Sequence, residues 1–373
     1  MAILTCNGAW LLYGHGVLDS DAPAPPYPQL GPMKVRFQFV DETYDPNGSW
    51  YRSGHQWTQV STSPNVWDYY RNGTDWTFEF GTLTSSQIIR SPAYVIEANL
   101  DGITDISYLF AGATNILSAE KFYAPDATTT PHLFDGCINL GYAEILSLES
   151  SSSYMYTFAR CTSLVDAPYF AFSQNATEAY SMFAGCTSLV NVPLYDTSRI
   201  RRFGAVSGES WGMFGGCTSL RTVPLLDMSS AISLDGMFYG CTSLVKVPLF
   251  ITGSVRSFNS MFANCTSLES IPLFDTHNAT NIASMFVNCT SLRAVPLFDT
   301  SSCDSTNGRS SSMFSGCVSV ERGALDLYKQ ISTQASYPTT LNRQSMFLNC
   351  GANTSSGLAE LNQIPTSWGG NMT

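Results

Sequence analysis

The feature that most restricts the fold of this chain is an internal repeat. The segment SMFANCTSLESIPLFDT, from Ser260 to Thr276, returns almost unchanged as SMFVNCTSLRAVPLFDT from Ser284 to Thr300, 24 residues later. Nine cysteines hold the same place in successive units: Cys137, Cys161, Cys186, Cys217, Cys241, Cys265, Cys289, Cys317 and Cys350, at steps of 24, 25, 31, 24, 24, 24, 28 and 33 residues. A tenth, more divergent unit opens at Leu109-Phe110 and carries Ala113 in place of cysteine. A unit this short cannot bury its own apolar face, whereas a stack of such units can. At a strand spacing of roughly 4.8 Å, ten units give a stack on the order of 50 Å long.

Each unit divides into parts. The Met-Phe pair predicts a short helical turn, often opened by Ser, a good N-cap residue. The residue before the cysteine position is Gly112, Gly136, Gly185, Gly216, Gly240, Asn264, Asn288, Gly316 or Asn349, with Arg160 the exception. Gly and Asn accept the left-handed backbone that ends a helix. Leu268, Ile271 and Leu273 then predict one short strand per coil, followed by a polar turn at Asp275-Thr276. The expected class is therefore α/β, with one strand and one helical turn in each coil. Pro168, Pro193, Pro224, Pro248, Pro272 and Pro296 recur at one strand position, so the strands should be short or the prolines should lie near their ends. The long steps at Cys217, Cys317 and Cys350 mark insertions expected to bulge from one surface.

The pattern Met-Phe-x-Gly-Cys-Thr-Ser-Leu-x-x-Val-Pro-Leu resembles the BspA-like leucine-rich repeats, including the related repeats of mycoplasma surface proteins. The resemblance covers about Leu100 to Cys350. It implies a right-handed leucine-rich-repeat solenoid and a role in surface adhesion or recognition, without enzymatic activity. Such repeats occur in bacterial surface proteins and in virion proteins of bacteriophages.

The flanks read differently. Residues 1–21 include Trp10, Leu11 and Leu12, have no charged side chain before Asp19, and form either a peptide that docks into a larger assembly or a segment that packs back on its own domain. A secretory signal is not expected here, since the first basic residue is Lys34. Residues 22–33 are a Pro-rich extended linker. Residues 34–99 predict a small β-rich capping domain: Val35, Phe37 and Phe39 alternate with polar residues, as do Trp76, Phe78 and Phe80. Trp50, Trp57 and Trp67 lie between them, either as a carbohydrate-stacking set or as core. Residues 100–350 form the solenoid and 351–373 a C-terminal cap or tail.

Composition narrows the function. Eighteen Lys and Arg against 29 Asp and Glu leave a formal charge of -11, which repels a phosphate backbone and argues against nucleic acid as partner. No apolar run approaches the roughly 18 residues that a membrane-spanning helix needs. The nine repeat cysteines have no Cys-x-x-Cys spacing and read as a column of buried free thiols. Cys6 and Cys303 lie outside that column, and the sequence leaves open whether either is reactive or bridged. His15, His55, His132 and His277 sit in unrelated contexts, with His277 read as a surface substitution. Asp45-Pro-Asn47-Gly48 reads as a turn rather than a calcium loop. No catalytic, metal or cofactor site is expected.

One candidate binding surface follows from the strand alternation. If Val and Leu of the Val-Pro-Leu-Phe motif face the core, Phe170, Tyr195, Leu226, Phe250, Phe274 and Phe298 face outward as an apolar ridge. Such a ridge is either a contact surface or a column tucked under its neighbours by the curvature of the coil. The expected function is a non-enzymatic structural or host-recognition protein of a bacteriophage virion, as fibre, spike or surface decoration. The alternatives are a bacterial cell-surface adhesin and, more distantly, a glycan-cleaving enzyme. The expected partners are other virion proteins through the N-terminal piece and a host surface protein or glycan, with a homo-oligomer also open.

Overall fold

The computed structural model describes residues 5–6, 9–10, 34–48, 55–71, 76, 80, 89–205, 211–303, 310–333 and 344–372. The chain divides into two units, Met1–Leu30 and Gly31–Thr373. In the first, β1 (Thr5–Cys6) pairs antiparallel with β2 (Ala9–Trp10). Leu11, Leu12, the linker, Trp50 and Phe78 lie outside the described residues, as do the tips of the three insertions.

The second unit opens with a six-stranded sheet of order β4-β5-β3-β6-β7-β8. Its strands are β3 (Lys34–Phe39), β4 (His55–Thr62), β5 (Asn65–Arg71), β6 (Ala93–Asn99), β7 (Ile116–Tyr123) and β8 (Tyr142–Ser147). The expected alternation in β3 is present: Val35, Phe37 and Phe39 are buried on one face. On the other face, Arg36 binds Asp68 through two hydrogen bonds, of 2.6 and 2.9 Å, and Lys34 lies 3.4 Å from the same carboxylate. Phe37, Trp57, Tyr69, Trp76 and Phe80 pack ring against ring, and Trp67 is buried with its Nε1 donating to Asn65 Oδ1 at 2.7 Å. The described tryptophans of this region are therefore core, not a sugar platform.

The sheet runs without a break into the repeats. β3, β4 and β5 are joined antiparallel, whereas β6, β7 and β8 are parallel and come from successive coils. The strand expected at Trp76 to Phe80 lies largely outside the described residues, and Trp76 and Phe80 themselves are not in a strand. Their backbone N–H groups donate to the carbonyls of Asp105 and Leu109 in the first recognised coil, so these two residues make the bonds that a preceding coil would make.

Among the described residues of the repeats beyond β8, neither the expected strand nor the expected helical turn is present, and the reason is visible in the hydrogen bonds. In the Met-Phe turn, alternate N–H groups leave the coil. Phe238 N–H donates to Met261 of the next coil and Gly240 N–H to Ala263, while Tyr239 and Cys241 donate three residues back, to Gly236 and Phe238. An α-helix needs successive i-to-i−4 bonds, and here half of the donors are committed to a neighbouring coil. The residue before Met is consequently not an N-cap. Ser260, Ser284 and Ser312 lie at φ of 54–55°, the same left-handed region as the predicted Gly and Asn positions and Arg160. On the opposite stretch, proline removes the donor a strand ladder would use, and only isolated bridges such as Asp166 to Asn191 and Ala294 to Arg322 persist. The motif is thus extended but unpaired.

Apolar side chains fill the inside of each coil in register. Phe80, Phe110, Phe134, Phe158, Phe183, Phe214, Phe238, Phe262, Phe286, Phe314 and Phe347 stack face to face up to Trp368, with centroids 5.0–6.4 Å apart and planes within 19°. Trp368 sits in a final 3-10 turn, Thr366–Trp368, and covers Phe347 while meeting Tyr328 edge-on. Two helices complete that end, α1 (Ala324–Thr333) and α2 (Ser355–Leu361). Glu360 of α2 accepts the Gly323 and Leu325 N–H groups at the start of α1.

Candidate interaction surface

The predicted outward ridge is buried. Phe170, Tyr195, Leu226, Phe250, Phe274 and Phe298 are all 4% exposed or less. The strand alternation that placed them outside assumes an unbroken period of two, and proline interrupts it. The chain turns at Pro, so that Val223, Val247 and Val295 point inward, the next inward residue comes three positions later, and the Leu between them is turned out. Phe250, Phe274 and Phe298 stack on one another and on the main ring column, for example Phe262 on Phe274 at 6.1 Å. The Tyr195 hydroxyl donates to the Pro168 carbonyl at 2.6 Å, and burial pushes that phenol far up from its usual range.

An exposed ridge exists one residue earlier. Tyr169, Leu194, Leu225, Leu249, Leu273 and Leu297 are between 49% and 62% exposed and occupy the same place in six successive coils. Half-buried prolines, Pro193, Pro224, Pro248, Pro272 and Pro296, lie beside five of them. A fully exposed leucine is ordinary on its own, but a row at one position of six stacked coils is a contiguous apolar strip, the kind of feature that marks a contact surface. The signal was present in the sequence as a Pro-Leu pair in five of the six coils and Pro168-Tyr169 in the sixth; reading it required knowing where the alternation breaks.

Charge lies on both sides of the strip. Before it along the coils come Asp166, Arg221, Lys246, Glu269 and Arg293, all exposed, and Arg293 is bound to Glu321 of the next coil at 2.9 Å. After it come Asp196, Asp227, Asp275 and Asp299. Each of these aspartates accepts the N–H two residues on, those of Ser198, Ser229, His277 and Ser301, at 2.8–3.2 Å, which fixes the polar turn and aims the carboxylates away from the core. The side-chain bonds to Ser198 and His277 hold the Asp196 and Asp275 carboxyls below their ordinary range.

The cysteine column is present and reduced. All nine repeat thiols are buried, and eight of them, Cys137 to Cys317, donate to the carbonyl of the repeat Phe one coil earlier at 3.0–3.2 Å. That donor role was not foreseen from sequence. Cys303 is also free, 6% exposed, with its thiol pushed up to about 12 by burial. Cys6 falls in β1, but its side chain lies outside the described residues. Trp10 is in β2, and its side chain is likewise outside them.

Other polar groups are structural in their contacts. His132 is stacked between Tyr108 and Tyr156 at 4.5 and 4.4 Å and lies 2.7 Å from Asp135, which also binds Arg160 at 2.7 Å. His277 is exposed, on the turn of Asp275. Asp45 accepts the Asn47 N–H at 2.8 Å in an ordinary turn. Among the described residues no group of three or more His, Cys, Asp or Glu could hold a metal ion, and no helix is long and apolar enough to cross a membrane.

The coils, their Leu and Phe columns and their left-handed turns are those of a leucine-rich-repeat-type fold, and parts of the chain match known families of such repeats. Residues 96–204 match the family model described as the BspA type leucine rich repeat region in six copies. Residues 209–326 match the model described as a Mycoplasma protein of unknown function, DUF285. No curated protein gives a significant match. Among solved structures, a leucine-rich repeat protein from Eubacterium ventriosum is similar over 49% of this chain and 77% of its own, at 12% identity and a TM-score of 0.19. BspA-type repeats typically lie on the cell surface or outside the cell, in adhesin-like proteins.

Proposed function

We propose that this chain is a non-enzymatic recognition protein displayed on an outer surface, and that its working face is the strip from Tyr169 to Leu297. The observation that carries the proposal is the strip itself: six stacked coils each turn one large apolar side chain to solvent at the same repeat position, 49–62% exposed, while their repeat Phe, Cys and Leu side chains are buried. Folding alone does not reward that arrangement, because burying those leucines in a partner returns about 25 cal/mol for each Å² removed from water. The match to BspA-type repeats, which serve in surface and adhesin-like proteins, supports the same reading. The right-handed solenoid form of the stack belongs to this proposal as well.

The finer form of the proposal is display on a bacteriophage virion, with a host surface protein or glycan as partner and the N-terminal piece as the attachment point. Antibodies against the repeats, applied to intact producing cells and to the particles they release, test it by immunogold labelling. Gold on particles is the expected result; gold on the cell envelope instead assigns the chain to a cell-surface adhesin. Labelling of neither, with all of the protein inside the cell, contradicts surface display altogether. The role of the strip is tested by binding to host cells: Leu249→Ser with Leu273→Ser should weaken binding about tenfold or more while the coils stay folded.

A further inference from the structure

One tryptophan lies open on the stack, and an insertion leads into it. The step from Cys186 to Cys217 is 31 residues instead of 24, and Trp211 stands in that coil. Among the described tryptophans Trp211 alone is exposed, at 40%. Its carbonyl accepts the Ser181 hydroxyl at 2.6 Å, and the next residue, Gly212, donates its N–H to the Gly236 carbonyl. The indole is laid over the row of residues that precede the cysteines. A Cβ built on Gly216 would lie 3.2, 3.3 and 3.4 Å from Cη2, Cζ2 and Cζ3 of Trp211, and one on Gly185 would lie 3.1 Å from Cζ3. Three ring carbons at nearly one distance mean that the indole turns a face, not an edge, to Gly216. With that face covered, the exposure belongs to the opposite face and the rim.

The sequence makes room for this ring in one coil only. A Cβ on Gly215 would stand 2.6 Å from the Trp211 Cβ, closer than unbonded carbons pack, so Trp211 needs glycine there. Gly215 is the only glycine two places before the cysteine position among the ten coils; the neighbouring coils hold Ala184 and Tyr239. The stack itself needs no such cover, since a Cβ on Gly136 or Gly240, in the same row as Gly216, would meet nothing nearer than 3.7 Å. Polar donors flank the ring along that row. Arg160 precedes Gly185, and its Cγ lies 3.5 Å from the Cβ position of Gly185 that Trp211 also approaches. Arg160 binds Asp135 through one nitrogen at 2.7 Å, and its other donors have no partner among the described residues. Beyond Gly216 come Gly240 and then Asn264, whose amide oxygen accepts from Asn288 at 3.0 Å and whose NH2 group has no partner among the described residues.

The face of an indole is electron-rich, and a pyranose offers a flat patch of polarised C–H groups rimmed by hydroxyls. An open aromatic face with guanidinium and amide donors beside it matches both parts of a sugar. A cationic ligand is disfavoured by Arg160 beside the ring. We propose that Trp211 is the platform of a carbohydrate site that stacks a pyranose of gluco or galacto configuration, with Arg160 and Asn264 donating to hydroxyls along the glycan. The site occupies a different row of the coils from the leucine strip and does not depend on it.

Fluorine resonance on the full-length chain labelled with 5-fluorotryptophan tests this. The chain has seven tryptophans, and the signal lost in Trp211→Phe is that of Trp211. Cellohexaose, chitohexaose and β-1,4-galactohexaose are titrated in turn. The expected result is a saturable shift of the Trp211 signal with at least one of the three. Calorimetry with that sugar should show binding weakened about tenfold or more by Trp211→Ala and less by Trp211→Phe, which keeps an aromatic face. Gly215→Ala, which displaces the ring without removing it, should also weaken binding, and thermal midpoints report whether each variant is folded. Leu249→Ser with Leu273→Ser should bind the sugar as the natural chain does. No saturable shift with any of the three sugars, or equal binding by folded Trp211→Ala, overturns the site. Neither outcome bears on the strip, which is judged separately by host-cell binding of the double serine variant.

Discussion

Eight of the nine repeat cysteines, Cys137 to Cys317, each do two jobs at the scale of a single side chain. Each fills a small buried space, and its thiol donates to the Phe carbonyl of the preceding coil, as Cys241 does to Phe214 at 3.1 Å. Serine would have a similar donor but a stronger need for hydration, and alanine would leave the carbonyl short of that bond, so cysteine suits a site that is both apolar and one donor short. Burial favours the neutral thiol and pushes Cys186 and Cys241 up from 9.0 to about 12. The folded state thus holds its protons more tightly than the unfolded one. The stabilisation is complete below pH 9 and is lost as the pH rises toward 12, by at most about 1.4 kcal/mol per pH unit for each thiol. Cys241→Ala should lower stability at pH 7 but make its fall between pH 9 and 11 shallower than in the natural chain, measured by urea unfolding. Parallel pH curves for the two proteins would refute this account. The column was legible in the sequence from the spacing alone, because position in a repeat reports position in space. The hydrogen bond was not, because it depends on a backbone carbonyl whose direction only the turn geometry sets.

At the scale of the element, the finding is that neither a helix nor, past β8, a strand is needed to hold the coils together. The turn between two left-handed residues sends alternate N–H groups to the next coil and so performs the task of a ladder. The periodicity of Met, Phe and Leu located this element and its apolar face but could not distinguish a helical turn from this alternation, since both bury the same residues. The Val-Pro-Leu-Phe segment failed for a definite reason: a period of two was carried through a proline, and Leu273 and Phe274 exchanged inside for outside. At the C-terminal end, the geometry is tighter. Gly323 has φ of +97°, and a Cβ placed there would lie 2.2 Å from the Val295 carbonyl oxygen. Gly323→Ala should therefore displace the start of α1 and the Glu360 carboxylate that caps it, costing about 2 kcal/mol or more. A thermal midpoint equal to that of the natural chain would show that this contact is slack.

For the whole second unit, the account reduces to register. The repeat period, the ring column from Phe80 to Trp368 and the exposed strip all require that residues one period apart lie one coil apart, and this much was read correctly from the sequence. What the sequence concealed lies at the two ends, where the repeat fades: Phe80 extends the ring column without the motif, and Trp368 closes the column from outside it. Register is also the premise of the proposed function, because only stacked coils turn five separate leucines and one tyrosine into one strip. Its direct measurement is the distance between spin labels on Tyr169→Cys and Leu297→Cys, five coils and more than a hundred residues apart, by pulsed electron resonance in protein diluted with unlabelled chains. Stacked coils predict a narrow distribution near about 24 Å, five steps of roughly 4.8 Å. A broad distribution, or one centred well beyond that distance, would contradict the stack and remove the surface built on it.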